Sequence, residues 1–342
     1  MKKILRDFFI ASDEERNGKL KDRVGGLRRY VNKIKPNFTE GGKFSWLQST
    51  FEAFESFLFV PDTTTKNGCQ IRDAVDLKRT MITVVLALMP ALFFGIWNVG
   101  YQHFLALGES VSFWRTIGFG LATTLPTFVV SYVVGLAIEF IFAQIRHHEV
   151  NEGFLVTGML IPLVLPPDIP LWMVALATAF AVIIAKEAFG GTGYNIVNPA
   201  LTARAFLFFA YPSCLSGDKV WIANQPDAFS GATPLGLLAN GSTDLPSAWT
   251  MFWGGIPGSL GETSKIAILM GAIILLISGI ASWRIIVAVL AGGIGMGLIF
   301  NAVGTTAYMQ LPCYYHLLMG GFMFGAIFMA TDPVTAPQTN VG

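Results

Sequence analysis

Charge is scarce in this chain. Only 13% of its 342 residues are Asp, Glu, Lys or Arg, where a soluble domain carries roughly 25%, and 53% are hydrophobic. Such a composition excludes an ordinary water-soluble globule and gives no reason to expect a nucleic-acid partner. Cysteine is scarce too. Cys69, Cys214 and Cys313 lie far apart with no CxxC pair, which argues against an iron–sulfur cluster or zinc site within this chain. A disulfide between Cys214 and Cys313 requires both to face outward; a pair of reduced, partly buried thiols is the favoured alternative. The four histidines offer no metal site, since His147 and His148 are adjacent while His103 and His316 fall on the other side of the membrane. No cleaved leader is evident: Lys2 and Lys3 precede a short, interrupted apolar run and then Asp13-Glu14-Glu15-Arg16. No Gly-rich loop links a strand to a helix, so a dinucleotide fold is absent as well.

What charge there is sits at one end. Residues 1–80 hold 16 of the 23 Lys and Arg, and the net charge of +1 hides a basic head on a nearly neutral body. That bias points to a cytoplasmic N-terminus. A hydrocarbon core needs about 20 apolar residues per helix, and the runs at 81–99, 117–144, 171–189, 266–282, 285–302 and 315–331 meet that length. Two shorter pieces, 154–165 and 199–211, abut Pro166-Pro167 and Gly190-Gly191. Short apolar pieces broken by Pro and Gly are expected where discontinuous helices line a site inside the bilayer, an ordinary kinked helix being the alternative. The fold class is therefore all-α: a polytopic membrane helix bundle with discontinuous helices and a layout that could contain inverted repeats. Residues 1–80 form a basic cytoplasmic or interfacial region. Residues 81–342 form the transmembrane domain, with an outward-facing loop at 212–265.

Several residues stand out from this background. The loop contains Asp227-Ala228-Phe229-Ser230-Gly231-Ala232-Thr233-Pro234-Leu235, where small residues permit a turn and Pro234 stiffens its exit. Asn195 and Asn198 follow a Gly-rich turn and read either as helix caps or as paired amides able to match a ring edge of N–H and C=O groups. Glu139 lies within Gly135-Leu136-Ala137-Ile138-Glu139-Phe140, where a charge costs about 2.5–3.5 kcal/mol on insertion scales. It is an interfacial carboxylate or a cation ligand; Asp332 and Glu187 are similar candidates, and Glu152 is interfacial. Residues 44–59 are aromatic-rich and read as an interfacial amphipathic helix.

Asp-x-x-Ser-Gly-Ala-Thr-x-Leu resembles the flavinylation motif of redox-driven membrane pumps. The blocks at 148–154 and 189–201, Ser282-Trp283-Arg284-Ile285-Ile286 and Met329-Ala330-Thr331-Asp332-Pro333-Val334 extend the likeness over the chain. Together they resemble the B-type subunits of the bacterial sodium-translocating NADH:quinone oxidoreductases, which are related to a D-type component of the Rnf complex. The long basic extension favours the sodium pump over the Rnf type. In that family further helices follow Thr-Asp-Pro-Val, so additional helices are expected beyond Gly342.

The resemblance implies a covalent FMN, joined to the Thr233 hydroxyl as a phosphoester by a flavin transferase. Gly231 and Ala232 leave room for that enzyme, and Asp227 and Ser230 complete the motif. It implies a non-covalent riboflavin held by Asn195, Asn198 and Thr157, and a quinone, ubiquinone or menaquinone, approaching near Gly135. Glu139 and Asp332 become candidates for the sodium path. No catalytic side chain is expected, since flavins carry the electron chemistry. An NADH-oxidising flavoprotein partner within a multi-subunit complex of the bacterial inner membrane is expected instead. A non-redox transporter or channel is the rival reading, which leaves the flavin motif without a purpose.

Overall fold

A computed structural model describes residues 77–146, 153–215, 220–224, 231–242, 244–306 and 308–337, with Thr339 and positions 30–31, 33–38, 42, 51 and 55. The chain divides into two compact units, residues 1–76 with 137–152 and residues 77–136 with 153–342. In the first, Pro36 sits in a tight 3-10 turn, Lys35–Asn37. Phe38 stacks on Phe51 at 4.7 Å between centroids, and Lys35 reaches Glu55 at 2.8 Å. Most of the aromatic 44–59 stretch lies outside the described residues.

The second unit holds the bundle. Long apolar runs form α1 (Leu77–Ala106), α2 (Phe113–Arg146, whose end belongs to the first unit), α4 (Leu171–Phe180) and α10 (Trp283–Val303). α4 continues through a π turn at Ala181–Lys186 and a 3-10 turn at Glu187–Phe189. These four are long and apolar enough to cross a membrane, counting α4 with its extensions. Between them lie α3 (Phe154–Val164), α5 (Pro199–Ala210), α6 (Pro212–Leu215), α7 (Pro234–Ala239), α8 (Ala248–Trp253) and α9 (Lys265–Ile277). After α10 come α11 (Cys313–Leu318) and α12 (Phe322–Phe324), which runs into a second π turn, Gly325–Met329. No strand occurs among the described residues.

Both short pieces are the short helices α3 and α5. Two of the six full-length runs are not continuous. The 266–282 run is helical only to Ile277, because Gly279 adopts φ 72° and turns the chain. The 315–331 run breaks at Met319-Gly320-Gly321, where Gly320 has φ 57°. Hydropathy measures apolar content and is blind to such left-handed turns, which glycine makes without steric cost.

α3 is the centre of this unit. Eight of its eleven residues are buried, on all faces, as expected of a helix enclosed by others. Pro162 lacks the N–H that would bond Gly158 four residues earlier; the buried Ser131 hydroxyl on α2 donates to that carbonyl instead, at 3.1 Å. The last carbonyls of α3 are also satisfied from outside. Gly261 N–H donates to Leu163 at 2.8 Å and the Ser259 hydroxyl to Val164 at 3.2 Å. Close backbone approach does the remaining packing. A methyl on Gly120 would lie 1.8 Å from the Ile96 carbonyl oxygen between α2 and α1, and one on Gly271 would lie 2.4 Å from that of Ala87 between α9 and α1. Small residues at helix crossings are the usual means of membrane helix association.

Candidate functional site

A narrow cleft of about 50 Å³ opens between α1, α3, α5, α9 and the end of the second π turn, smaller than the roughly 300–1,000 Å³ usual for ligand sites, so a flavin ring would have to widen it. Met81, Val84, Leu160 and Phe328 give its lining an apolar part. Thr157, Asn195, Asn198 and Asp332 all line it, so four residues separated by up to 175 positions meet at one place. The local sequence explains the meeting. Gly190, Gly191 and Gly193 have φ of 121°, 97° and 95°, and this turn reverses the chain after α4 so that both asparagines precede α5.

Asn198 caps α5. Its Oδ1 accepts from the N–H groups of Ala200 at 2.9 Å and Leu201 at 3.3 Å, while its Nδ2 donates to Asp332 Oδ2 at 3.3 Å. Capping and site formation are thus the two ends of one amide. Asp332 also accepts from the Thr335 hydroxyl at 2.8 Å and from Val334 N–H at 3.4 Å. Asn195 Nδ2 donates to the Val197 carbonyl at 3.4 Å.

Lys186 lines the same cleft, only 3% exposed, with its ammonium 5.8 Å from the centroid of the Phe154 ring. Sequence reasoning passed over it. The signal that picks out Glu139, a charge in an apolar span costing about 2.5–3.5 kcal/mol, was equally present there. Its neighbour Glu187 is buried as well. Gly135 belongs to the same arrangement, since a methyl on it would fall 1.8 Å from Phe154 Cζ. The absent side chain is what lets that ring seat. Glu139 is buried in the other unit and does not line the cleft. Glu152 lies outside the described residues.

Thr233 stands apart from the cleft. It caps α7: its Oγ1 accepts from Gly236 N–H at 3.1 Å, and Pro234 occupies the first helical position. The cap uses an oxygen lone pair and not the hydroxyl proton, so replacing that proton with a phosphoryl group leaves an oxygen at the capping position. The side chain is half-buried, accessible to chemistry but fixed by its neighbours. Gly231 and Ala232 are buried beside it; Asp227 and Ser230 lie outside the described residues.

The segments flanking Thr233 are anchored. Gly320 packs so closely under Leu235 that a methyl there would lie 2.6 Å from Leu235 Cδ1. The Gly320 carbonyl accepts from the buried Lys265 ammonium at 3.3 Å, which also donates to the Glu262 carbonyl at 2.6 Å, and the Glu262 carboxylate pairs with Arg204. Upstream of the motif, His103 on α1 is 2.8 Å from the Ala223 carbonyl through Nδ1 and stacks on Phe119 at 3.9 Å. Burial pushes the Asp168 carboxyl above its usual range, opposed by a backbone hydrogen bond from Asn224. Cys214 and Cys313 are free thiols, each partly buried; Cys69 is outside the described residues.

Comparison with known proteins places the chain in a family. The family described as NQR2, RnfD, RnfE matches residues 64–342. A protein of Ectopseudomonas mendocina, named as the B-type subunit of a Na(+)-translocating NADH-quinone reductase, is 47% identical over 93% of this chain and 86% of its own length. Proteins of the same name from Stutzerimonas stutzeri, at 47%, and Chromohalobacter salexigens, at 45%, cover 93% of this chain as well. The match spans 86% and 83% of those proteins respectively.

Proposed function

The chain belongs to the NQR2, RnfD, RnfE family, and from that premise we propose that it is the membrane redox subunit of a sodium-transporting NADH:quinone oxidoreductase. The names of its relatives support the sodium pump over the Rnf type. In this reading FMN is carried on Thr233 as a phosphoester, riboflavin occupies the cleft at Thr157, Asn195 and Asn198, and electrons pass from the first to the second and on to quinone. Flavins supply the one- and two-electron chemistry, for which no protein side chain is suited. NADH is oxidised on a partner subunit. The protein lies in the bacterial inner membrane with its N-terminus in the cytoplasm, and the loop bearing Thr233 faces the periplasm.

The chain's own residues do the positioning. Thr233 presents a fixed, half-buried oxygen at the head of α7. Asn195 and Asn198 offer amide groups to the N–H and C=O edge of a ring, beside the apolar Met81, Val84, Leu160 and Phe328. Gly135 seats Phe154 at the edge of this region, and quinone is proposed to approach there. Glu139 and Asp332 are proposed for the cation path, because carboxylate oxygen is a suitable donor for a small hard cation and a cation taken up nearby offsets charge added in a low dielectric.

The observation that carries this reading is the Thr233 oxygen, held by α7 with its proton uncommitted. A denaturing gel of the purified complex under ultraviolet light tests it. The subunit should fluoresce, and Thr233→Val, nearly equal in shape, should abolish the signal while leaving the complex assembled. A fluorescent Thr233→Val subunit would place the flavin elsewhere.

A further inference from the structure

The hairpin between α1 and α2 holds another, larger cavity. It measures about 420 Å³ and is lined by Tyr101, Phe104 and Leu105 of α1, Glu109 and Ser110 of the connecting turn, and Thr116 of α2. That volume is within the roughly 300–1,000 Å³ usual for ligand sites. Its level in a bilayer follows from helix length. From Arg79 to Ala106 the span has 28 residues, a rise of about 42 Å, which matches a hydrocarbon core together with its headgroup layers, about 40–45 Å. The cavity lies at the end of that span, level with lipid headgroups. Aromatic side chains mark the same level. Trp97 stacks on Tyr101 at 5.0 Å between centroids, and Phe113 and Trp114 at the start of α2 are exposed, as in the aromatic belts of membrane interfaces.

The turn fixes the groups around the cavity. Gly108, at φ 70°, ends α1, and the N–H groups of Leu107, Gly108 and Glu109 donate to the carbonyls of His103, Leu105 and Phe104. Below the turn the two helices touch, since a methyl on Gly100 would lie 2.1 Å from the Thr116 carbonyl oxygen. The Glu109 side chain is exposed and makes no ion pair among the described residues. Arg115 places its guanidinium over the Phe104 ring, 5.2 Å from the centroid. An apolar stripe leads away from the cavity: Leu105, Tyr101, Trp97 and Phe93 recur every four residues on one face of α1, and Leu105 and Phe93 are exposed.

We propose that this cavity seats the headgroup of an aminophospholipid, with its primary ammonium on the Glu109 carboxylate, its phosphate toward Arg115 and its acyl chains along the stripe that ends at Phe93. A primary ammonium donates three hydrogen bonds, which the Glu109 carboxylate and the Ser110 hydroxyl accept. A quaternary ammonium donates none and depends on open aromatic faces; here Trp97 covers one face of Tyr101 and Arg115 lies over Phe104. A headgroup with no ammonium would set the Glu109 carboxylate against the lipid phosphate with nothing to offset the repulsion. The site therefore selects by headgroup as well as by apolar contact.

The test uses the whole purified complex, delipidated in detergent. Phosphatidylethanolamine, phosphatidylcholine or phosphatidylglycerol is added back in turn, and the lipid retained through gel filtration is quantified by mass spectrometry of the extract. Wild type should retain phosphatidylethanolamine in excess of the other two. Glu109→Gln and Arg115→Gln, both at exposed positions, should elute as assembled complex and retain less phosphatidylethanolamine, with the other two lipids unchanged. Equal retention of the three lipids by wild type overturns the proposal, and so does unchanged phosphatidylethanolamine in either variant. Loss of all three lipids alike from Glu109→Gln would reduce the cavity to an apolar seat without headgroup selection, which also contradicts it. Phosphoethanolamine added alone should not survive gel filtration; its retention would overturn the lipid assignment in favour of a soluble ligand.

Discussion

Asn198 shows how one side chain serves both architecture and site. Its oxygen caps α5 while its nitrogen holds Asp332, so the two roles respond differently to substitution. Serine caps helices about as well as asparagine but cannot reach Asp332 from the same position. Asn198→Ser is therefore expected to change the thermal midpoint of the detergent-solubilised complex little, within about 0.5 kcal/mol for a cap exchange, while extractable riboflavin falls. If riboflavin stays at the wild-type level, Asn198 is a cap and nothing more. The capping half of this behaviour was legible in the sequence, from an Asn-Pro pair following a Gly-rich turn. The partner was not, because Asp332 lies 134 positions away and only the fold joins them. Lys186 was missed for a different reason. The stretch before it, Val182-Ile183-Ile184-Ala185, is apolar, and a hydropathy window averages the adjacent Lys186 and Glu187 away.

At the scale of elements, α3 depends on a carbonyl released by one residue and satisfied by another. Ser131→Ala leaves the Gly158 carbonyl buried without its donor, a loss of about 1–3 kcal/mol. Pro162→Ala in the same chain returns an N–H to that carbonyl. The pair should therefore be less destabilised than Ser131→Ala alone, by thermal unfolding of the solubilised complex; strictly additive losses would mean that the two residues are not coupled through Gly158. Helix length was the most legible property of these elements. Four runs became helices long enough to cross a membrane, and the Pro- and Gly-bounded pieces became α3 and α5. The 266–282 and 315–331 runs were misread as continuous because their interruptions are single glycines at positive φ. In the second run Gly320 also carries tertiary load, its carbonyl on Lys265 and its Cα under Leu235, and no local pattern announces that.

In the whole molecule a covalent flavin at Thr233, a cleft flavin and cation uptake are proposed to act together. The cation step is separable from the flavins. Glu139→Gln and Asp332→Asn, assayed as quinone reduction against sodium concentration, should each require more sodium for half-maximal rate at unchanged covalent flavin content. Two unaltered sodium curves would assign these carboxylates to structure. The central claim concerns Thr233, where a motif legible in sequence coincides with an oxygen held at the head of α7. Mass spectrometry of the proteolytic peptide containing residues 227–235 tests it most directly. The added mass of an FMN phosphoester is expected, localised by fragmentation to Thr233; an unmodified Thr233, or the same mass on Ser230, contradicts the assignment.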